Sequence, residues 1–212
     1  MSRQALAELR RTILTGGIAP GSKLVVRPLA EDLGLSPTPV KAALAALEAE
    51  GLVRAVPNRG YFVQTFDAAA IREISALRGV LDRLAAELAA QSAGHTSLAR
   101  QLKANLAEQR AAVQRSDHQR YADLNHEFHQ MVWESTGNRR LTEAANNLAG
   151  QVRLLVNSSV QGAGRPKQSL KEHQGILEAL MAGDAERAGA LALSHALHSE
   201  ETLLALVGRT GA

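Results

Sequence analysis

The sequence predicts a mainly α-helical protein with two domains, an N-terminal winged helix-turn-helix followed by an all-α six-helix bundle. Three observations support this prediction. Two short helices joined by a glycine turn fit residues 29–51, and two β-leaning runs follow them directly. Beyond residue 67, apolar residues recur at helical spacing in six segments. Only 3% of the 212 residues are aromatic, whereas alanine and leucine are abundant, as in helix-rich chains.

The first predicted helix covers residues 4–15, is amphipathic and ends at Gly16-Gly17. The next helix is short and carries Leu29, Ala30 and Leu33. Gly34 ends it, because glycine readily adopts a positive φ. Ser36 then stands at the N-cap of a second helix, which Gly51 closes. That helix turns an i, i+3, i+4, i+7 stripe inward, formed by Val40, Ala43, Leu44 and Leu47.

A β-hairpin wing follows the helix-turn-helix. Residues 52–55 and 61–64 are its strands, and Pro57-Asn58-Arg59-Gly60 is the turn between them. A guanidinium at such a tip reaches a phosphate or the minor groove. The residues expected to contact DNA from the helices and the wing are Arg27, Ser36, Thr38, Lys41, Arg59 and Gly60.

The positive charge is concentrated at the N-terminal end. Residues 1–66 hold eight Lys/Arg and five Asp/Glu, so the remaining residues hold sixteen of each and the net charge of +3 lies in the first third. This excess coincides with the winged pattern. The absence of cysteine excludes disulfides and thiolate metal sites. Without a long apolar run or a basic-then-apolar leader, the chain is expected to be cytoplasmic, not membrane-spanning or exported.

The predicted domains are residues 1–66 and 67–212, with a junction at Phe66-Asp67 too short for a free linker. Helix breaks include Gly94, and a mobile loop is expected from Gly162 to Lys167. Short connections favour an antiparallel bundle. The six helices are predicted at residues 68–92, 95–115, 118–136, 139–160, 168–182 and 185–206.

All seven histidines lie in the second domain. Asn125 and His129 are four residues apart, so they project from one helix face. His173 and His195 flank a Gly-Asp turn and can face each other across a helical hairpin. Three imidazoles and an oxygen from three helices would suit a first-row divalent ion. The spacing equally permits unrelated solvated or core histidines.

Two further histidines have weaker placements. His126 is a fringe candidate for the metal, and His198 lies one turn beyond His195. Both are expected at the surface or behind the ligands.

These patterns together resemble the GntR-type regulators, in the FadR branch with a C-terminal FCD ligand-binding domain. The resemblance covers nearly the whole chain. The N-terminal signature is visible at Leu14, Gly17, Pro20-Gly21, Leu24, Leu29-Ala30, Leu33-Gly34, Ser36, Pro39-Val40, Ala43-Leu44, Leu47, Glu50-Gly51-Leu52-Val53, Arg59-Gly60 and Val63. The C-terminal signature is visible at Arg78, Leu81-Asp82, Asn125, Phe128-His129, Gly137-Asn138, Glu172-His173, Ile176, Ala179, Gly183-Asp184, Ala188 and His195.

The resemblance implies that the three histidines bind a divalent ion, often zinc or nickel, near a small carboxylate effector. Asn125 would be the oxygen ligand, and a neutral amide implies weaker metal binding than Asp. Arg78 matches a position that faces the effector pocket, where it would clamp a carboxylate, although a salt bridge to Asp82 is an equal alternative. Arg153 is a weaker pocket candidate, with surface exposure the more probable alternative.

The recognition helix departs from the family pattern. Pro37 replaces an arginine that relatives use for DNA contact, Lys41 keeps a charge without the guanidinium fork, and Val26 stands where an acidic residue is usual. The sequence therefore predicts altered rather than absent DNA recognition.

The expected function is a homodimeric transcriptional regulator that reads a pseudo-palindromic double-stranded operator and responds to a small organic acid. An architectural DNA-binding protein without an effector is one alternative, with the histidines structural. A metal-dependent hydrolase is a remote alternative, because Glu172 and Glu127 are expected to point away from the histidines and leave no general base.

Overall fold

A computed structural model describes residues 2–92, 95–158 and 165–210. The chain forms two compact units. The first comprises Met1–Asp67 and Gly150–Val160, and the second comprises Ala68–Ala149 and Gln161–Ala212.

The first unit has the predicted winged helix-turn-helix. Its elements are α1 (Ser2–Leu14), β1 (Lys23–Leu24), α2 (Val26–Asp32), α3 (Pro37–Ala49), β2 (Val53–Val56) and β3 (Gly60–Val63). Strand β1 was not predicted. It pairs antiparallel with β3, which also pairs with β2, so the wing is a three-stranded sheet in the order β1-β3-β2.

The predicted stripe of α3 is buried in the core of this unit. It packs with Leu9 and Ile13 of α1, with Val63 of β3, and with Leu154 from the C-terminal part of a later helix. This burial holds α3 in place and leaves the opposite face of the helix exposed.

The turn between α2 and α3 follows the predicted chemistry at Gly34. Its φ is +63°, and the amide of Leu35 donates to the carbonyl of Ala30, which closes the helix end. Ser36 is at the N-cap of α3 in an extended conformation, but its side chain accepts no hydrogen bond from the described amides of that helix. The predicted capping bond is therefore wrong. Pro37 occupies the first helical turn, where no amide is needed.

The second unit is built from helices close to the predicted ones. They are α4 (Ala68–Gln91), α5 (His95–Gln114), α6 (His118–Ser135), α7 (Arg139–Ser158), α8 (Arg165–Met181) and α9 (Ala185–Thr210). Helix α7 contributes to both units, with the division after Ala149. Phe128, Trp133, Leu177 and Leu180 lie in the main core of this unit.

One predicted loop is partly wrong. Residues 165–167 were expected in a mobile loop, but they form the first turn of α8. Pro166 is compatible with a helix there, because the amides of a first turn have no helical partner. The breaks expected at Ser116-Asp117, Gly137-Asn138 and Gly183-Asp184 are present between consecutive helices, whereas those expected at Gly94 and at Gly162 to Gly164 lie outside the described residues.

The helices that the structure describes do not include one with the length and apolar composition of a membrane span.

Candidate metal centre and nucleic-acid interface

The first half of α3 presents polar side chains to solvent. Ser36, Thr38 and Lys41 are exposed, as is Arg27 on the first turn of α2. The apolar stripe fixes the other side of α3 in the core. This placement suits contact with bases or phosphates by the N-terminal residues of a recognition helix. The DNA-binding roles of these four residues stay predictions.

The wing turn is well defined. The amide of Arg59 donates to the carbonyl of Val56 at 3.0 Å, and Asn58 between them has a φ of 61°. Proline at the second position and asparagine with positive φ at the third are typical of a type II turn. Arg59 and Gly60 are exposed at its tip, where the sequence predicted them.

A further cation on the wing was missed. The guanidinium carbons of Arg54 and Arg59 lie 5.2 Å and 5.8 Å from the ring centre of Phe62. The strand register places Arg54 directly opposite Phe62. Sequence alternation along the strands would have put Arg54 and Phe62 on one face of the hairpin only if the register had been known. Among the described residues, neither arginine has an ion-pair partner, so both charges remain available to an anion.

Three helices of the second unit bring the predicted histidines together. His129 on α6, His173 on α8 and His195 on α9 are all buried, and one ligand atom from each lies within 4.8 Å of the others. The Nε2 atoms of His129 and His195 are 3.2 Å apart. Among the described residues this is the only group of three or more histidine or acidic side chains placed to hold a metal ion.

Two observations show that the cluster fits a metal ion. A divalent ion with nitrogen ligands at about 2.0–2.1 Å holds them roughly 3.0–3.4 Å apart, which the 3.2 Å separation matches. Neither ring nitrogen of His173 has a hydrogen-bond partner among the described residues, although both are buried. Unsatisfied buried polar atoms cost free energy, and a metal bond would remove that cost for one of them.

The electrostatics favour neutral imidazoles. Burial lowers the pKa of His129 and of His173 well below 6.5. Burial also lowers the pKa of His195, although its hydrogen bond to Glu172 acts in the opposite direction. The positive charge of Arg78 further lowers the pKa of all three. Neutral imidazole is the form that binds a metal.

Glu172 contacts the cluster at His195, on the side of that ring away from His129. The expectation that Glu172 points elsewhere is therefore wrong. Its carboxylate is 2.6 Å from Nδ1 of His195, 2.8 Å from Arg165 and 2.9 Å from Nδ1 of His198. Burial raises the pKa of Glu172, but hydrogen bonds from His195 and Arg165 outweigh it and lower the pKa to about 2. The expectation failed because α9 approaches both Glu172 and its neighbour His173.

This contact orients the ring of His195. A carboxylate that accepts a hydrogen bond from Nδ1 of His195 fixes the proton there and leaves Nε2 directed at His129, which is the orientation usual for metal-binding histidines. Arg165, on the first turn of α8, also donates to the hydroxyl of Ser199 at 2.8 Å. Sequence analysis missed Arg165 as part of the site because it assigned that residue to a loop.

The predicted oxygen ligand and the fringe histidine lie on the same helix as His129. Asn125 is partly buried one turn before His129, and its role as a ligand stays a prediction. His126 is outside the group of three, and its ring centre lies 6.2 Å from that of Trp133 in an edge-on arrangement.

The two arginines predicted to bind an effector lie in different units. Arg78 is buried, and its Nε is 3.3 Å from Asp82, which also accepts a hydrogen bond of 2.7 Å from the indole of Trp133. The salt bridge considered as an alternative is therefore present. Arg153 lies half-buried on the part of α7 that belongs to the first unit. Their effector roles stay predictions.

The depressed histidine pKa values predict a pH dependence of stability. In the metal-free protein, the folded state keeps these imidazoles neutral, whereas the unfolded chain takes up protons below pH 6.5. The unfolded state then binds more protons, so the free energy of unfolding is largest above pH 6.5 and falls as the pH decreases from there. Urea unfolding between pH 7.5 and 5.5 measures this loss.

The matched control for this experiment is His173→Leu, which removes one of the neutral imidazoles. Its stability should decline less steeply below pH 6.5 than that of the wild type. Equal slopes in the two proteins would contradict the assignment.

Comparison with known proteins adds a family context to both sites. Residues 73–198 match the protein family described as the FCD domain, and residues 1–63 match the family described as bacterial regulatory proteins, gntR family. The chain is 29% identical to the uncharacterized HTH-type transcriptional regulator YdhC of Bacillus subtilis, over 92% of this chain and 88% of that protein. It is 28% identical to the HTH-type transcriptional repressor RspR of Escherichia coli, over 88% and 81% of the two chains.

A solved structure supports the fold. Escherichia coli McbR/YncC superimposes with a TM-score of 0.82 at 21% identity, over 95% of this chain and 96% of that one. At this identity the likeness concerns the fold alone.

Proposed function

Because this chain belongs to the gntR family of bacterial regulatory proteins and carries an FCD domain, we propose that a small carboxylate bound near a metal ion modulates its affinity for operator DNA. Transcriptional regulation through the winged domain follows from the family itself, which comprises regulators and not enzymes. The metal, the effector and their effect on DNA binding are the parts that we propose.

The histidine cluster carries this proposal. Its three buried imidazoles adjoin one another, and both nitrogens of His173 have no hydrogen-bond partner among the described residues. His129, His173 and His195 would hold a divalent ion, zinc or nickel, with Asn125 as an oxygen ligand. When bound, the ion supplies a positive centre that attracts an anionic ligand.

Arg78 supplies a second positive charge near the cluster. Its salt bridge to Asp82 holds the guanidinium in a buried position, and its charge acts on all three histidines. A carboxylate bound between the metal and Arg78 would interact with both.

The effect on DNA would pass along the chain itself. Phe66-Asp67 joins the winged part to α4 without a free linker, and α7 contributes residues to both units. The chain would act as a homodimer in the cytoplasm, and its two recognition helices would read a pseudo-palindrome. The size of the response is set by the difference in DNA affinity between the two states.

The hydrogen bond between the Glu172 carboxylate and Nδ1 of His195 gives a test of the proposed metal site. Glu172→Gln should reduce metal affinity by about 10–100-fold, since partners that orient a ligand contribute on this scale. The neutral amide of the variant would fix the proton on Nδ1 of His195 less firmly, and it would not neutralise the positive charge of Arg165. Competition with a coloured chelator measures the affinity. A matched control is Glu178→Gln on the exposed side of α8, and equal metal affinities in the two variants would contradict this role.

Footprinting of the purified protein on the DNA upstream of its own gene tests the proposed function. We expect two protected half-sites separated by about 10 base pairs or a multiple of that spacing. Absence of protection at low salt, with or without metal and organic acids, would contradict it. Protection that is indifferent to both additives would favour the architectural alternative.

A further inference from the structure

The outward face of the recognition helix α3 carries few hydrogen-bonding groups. Its exposed residues Thr38, Lys41, Ala42 and Ala45 lie at i, i+3, i+4 and i+7, on the side of the helix opposite its buried apolar stripe. Only the hydroxyl of Thr38 and the ammonium of Lys41 can donate a hydrogen bond from these side chains. The two alanines and the γ-methyl of Thr38 present methyl groups, so most of this face is apolar.

The polar residues around this face do not extend its hydrogen-bonding set. Glu48 is exposed near the C-terminal end of α3, but its Oε1 accepts a hydrogen bond of 3.1 Å from the amide of Ala55 on β2. Arg27 lies on α2, and the first helix of such a motif crosses the DNA backbone, so Arg27 is expected to contact a phosphate. Base reading by hydrogen bonds from this face therefore depends on Thr38 and Lys41.

The bases differ in the side chains that read them in the major groove. Guanine is read by arginine or lysine, adenine by asparagine or glutamine, and cytosine by an acidic side chain. Thymine presents a 5-methyl group, which packs against alanine or the methyl of threonine. The outward face of α3 holds one lysine, two alanines and one threonine, and no amide or free carboxylate side chain. Its chemistry is thus complementary to thymine methyl groups.

We infer that α3 reads its half-site mainly through thymine methyl groups, which pack against Thr38, Ala42 and Ala45. The distance from Thr38 to Ala45 along the helix is about 10 Å, which corresponds to about three base pairs. Lys41 lies at the edge of this face and reaches one guanine or one phosphate. The half-site is therefore a short run of A·T pairs with at most one G·C pair read by a direct hydrogen bond.

This inference rests on the DNA binding that is part of the proposed function, but it requires neither the metal nor the effector. It adds which base chemistry the recognition helix selects. The site itself is given by the winged fold, and the inference concerns what that site reads.

Deoxyuridine substitution tests this inference. The full-length protein first selects preferred sites from a random duplex library, and the strongest site then carries deoxyuridine in place of one thymidine at a time. Uracil pairs with adenine as thymine does and lacks only the 5-methyl group. Loss of each contacted methyl should weaken binding about 3–5-fold, as expected for burial of one methyl group. Thymidines outside the protected bases are the control, and their replacement should leave the affinity unchanged.

Two variants assign the effect to particular side chains. Thr38→Ser removes a methyl group and keeps the hydroxyl, and Ala42→Gly removes the methyl of the alanine. In each variant one thymidine position should become insensitive to deoxyuridine, while the other positions keep their loss of about 3–5-fold. The matched control is Ala104→Gly, at an exposed alanine on α5 in the helical unit, and it should show the wild-type pattern. Because each comparison is a ratio within one protein, a general effect of glycine on the helix cancels.

Three results would overturn the inference. The first is a preferred half-site without adjacent A·T pairs, and the second is a site at which no deoxyuridine weakens binding. The third is equal deoxyuridine sensitivity in the wild type and in both variants, because the methyl groups would then act through DNA shape. If the library yields no enriched site, the DNA-binding part of the proposed function fails as well. If a site is enriched but is insensitive to deoxyuridine, the regulatory function stands and only this inference is wrong.

Discussion

Replacement of His173 by alanine should abolish metal binding and the stabilisation that the metal provides. The ring centre of His173 lies 5.1 Å from that of His129 and 4.6 Å from that of His195, so its loss removes one of the three ligands and opens the site. A ligand present at 100 times its dissociation constant stabilises the folded state by about 2.7 kcal/mol. For a chain of this length that corresponds to a rise in melting temperature of roughly 5–10 °C.

Elemental analysis and thermal unfolding with and without zinc or nickel measure the two effects. We expect stoichiometric metal and a clear thermal shift in the wild type, and neither in His173→Ala. The matched control is His118→Ala, because His118 is exposed at the start of α6 and outside the cluster. Unchanged metal content in His173→Ala would exclude the site as described. His195→Ala should behave like His173→Ala.

Lys41→Ala should weaken operator binding without disturbing the fold. Lys41 is exposed on α3, next to the buried Val40, and makes no ion pair with another described residue. A lysine that contacts a base contributes about 1–3 kcal/mol of discrimination, and one that contacts a phosphate reduces the salt slope by about one when it is removed. The expected loss of affinity is therefore about tenfold or more.

Fluorescence anisotropy with labelled upstream DNA, repeated over a range of salt concentrations, separates these two roles. A smaller salt slope with unchanged sequence preference assigns Lys41 to a phosphate, whereas relaxed preference assigns it to a base. Lys103→Ala, an exposed lysine on α5, is the matched control. Equal affinities for Lys41→Ala, Lys103→Ala and the wild type would contradict a role of Lys41 in DNA binding.

Local sequence patterns predicted most of the fold because they depend on neighbouring residues. The apolar stripe of α3 and the positive-φ glycine at Gly34 both follow from spacing and backbone freedom, and both are present in the structure. Strand β1 could not be predicted in this way. Two residues carry no periodicity, and this strand exists only because Lys23 and Leu24 pair with a distant segment.

The candidate site was predicted to a similar extent. Spacing on a hairpin placed His173 and His195 face to face, and the structure has them together. The surroundings of the histidines were less accessible to sequence analysis. Glu172 was expected to point away from the histidines, and Arg165 was assigned to a loop. In the structure Glu172 is hydrogen-bonded to Nδ1 of His195, and Arg165 forms a salt bridge with Glu172. These contacts depend on how α8 and α9 pack, which helical periodicity alone does not specify.

The central claim is that the helical unit controls how tightly the winged domain binds DNA. The most direct test is the affinity of the metal-loaded protein for its upstream DNA, titrated with a panel of hydroxy-, sugar and dicarboxylic acids. We predict that at least one acid changes the affinity of the wild type by about 5-fold or more, and that His173→Ala does not respond to it. DNA affinity that is the same with and without metal, and with every acid tested, would contradict the claim.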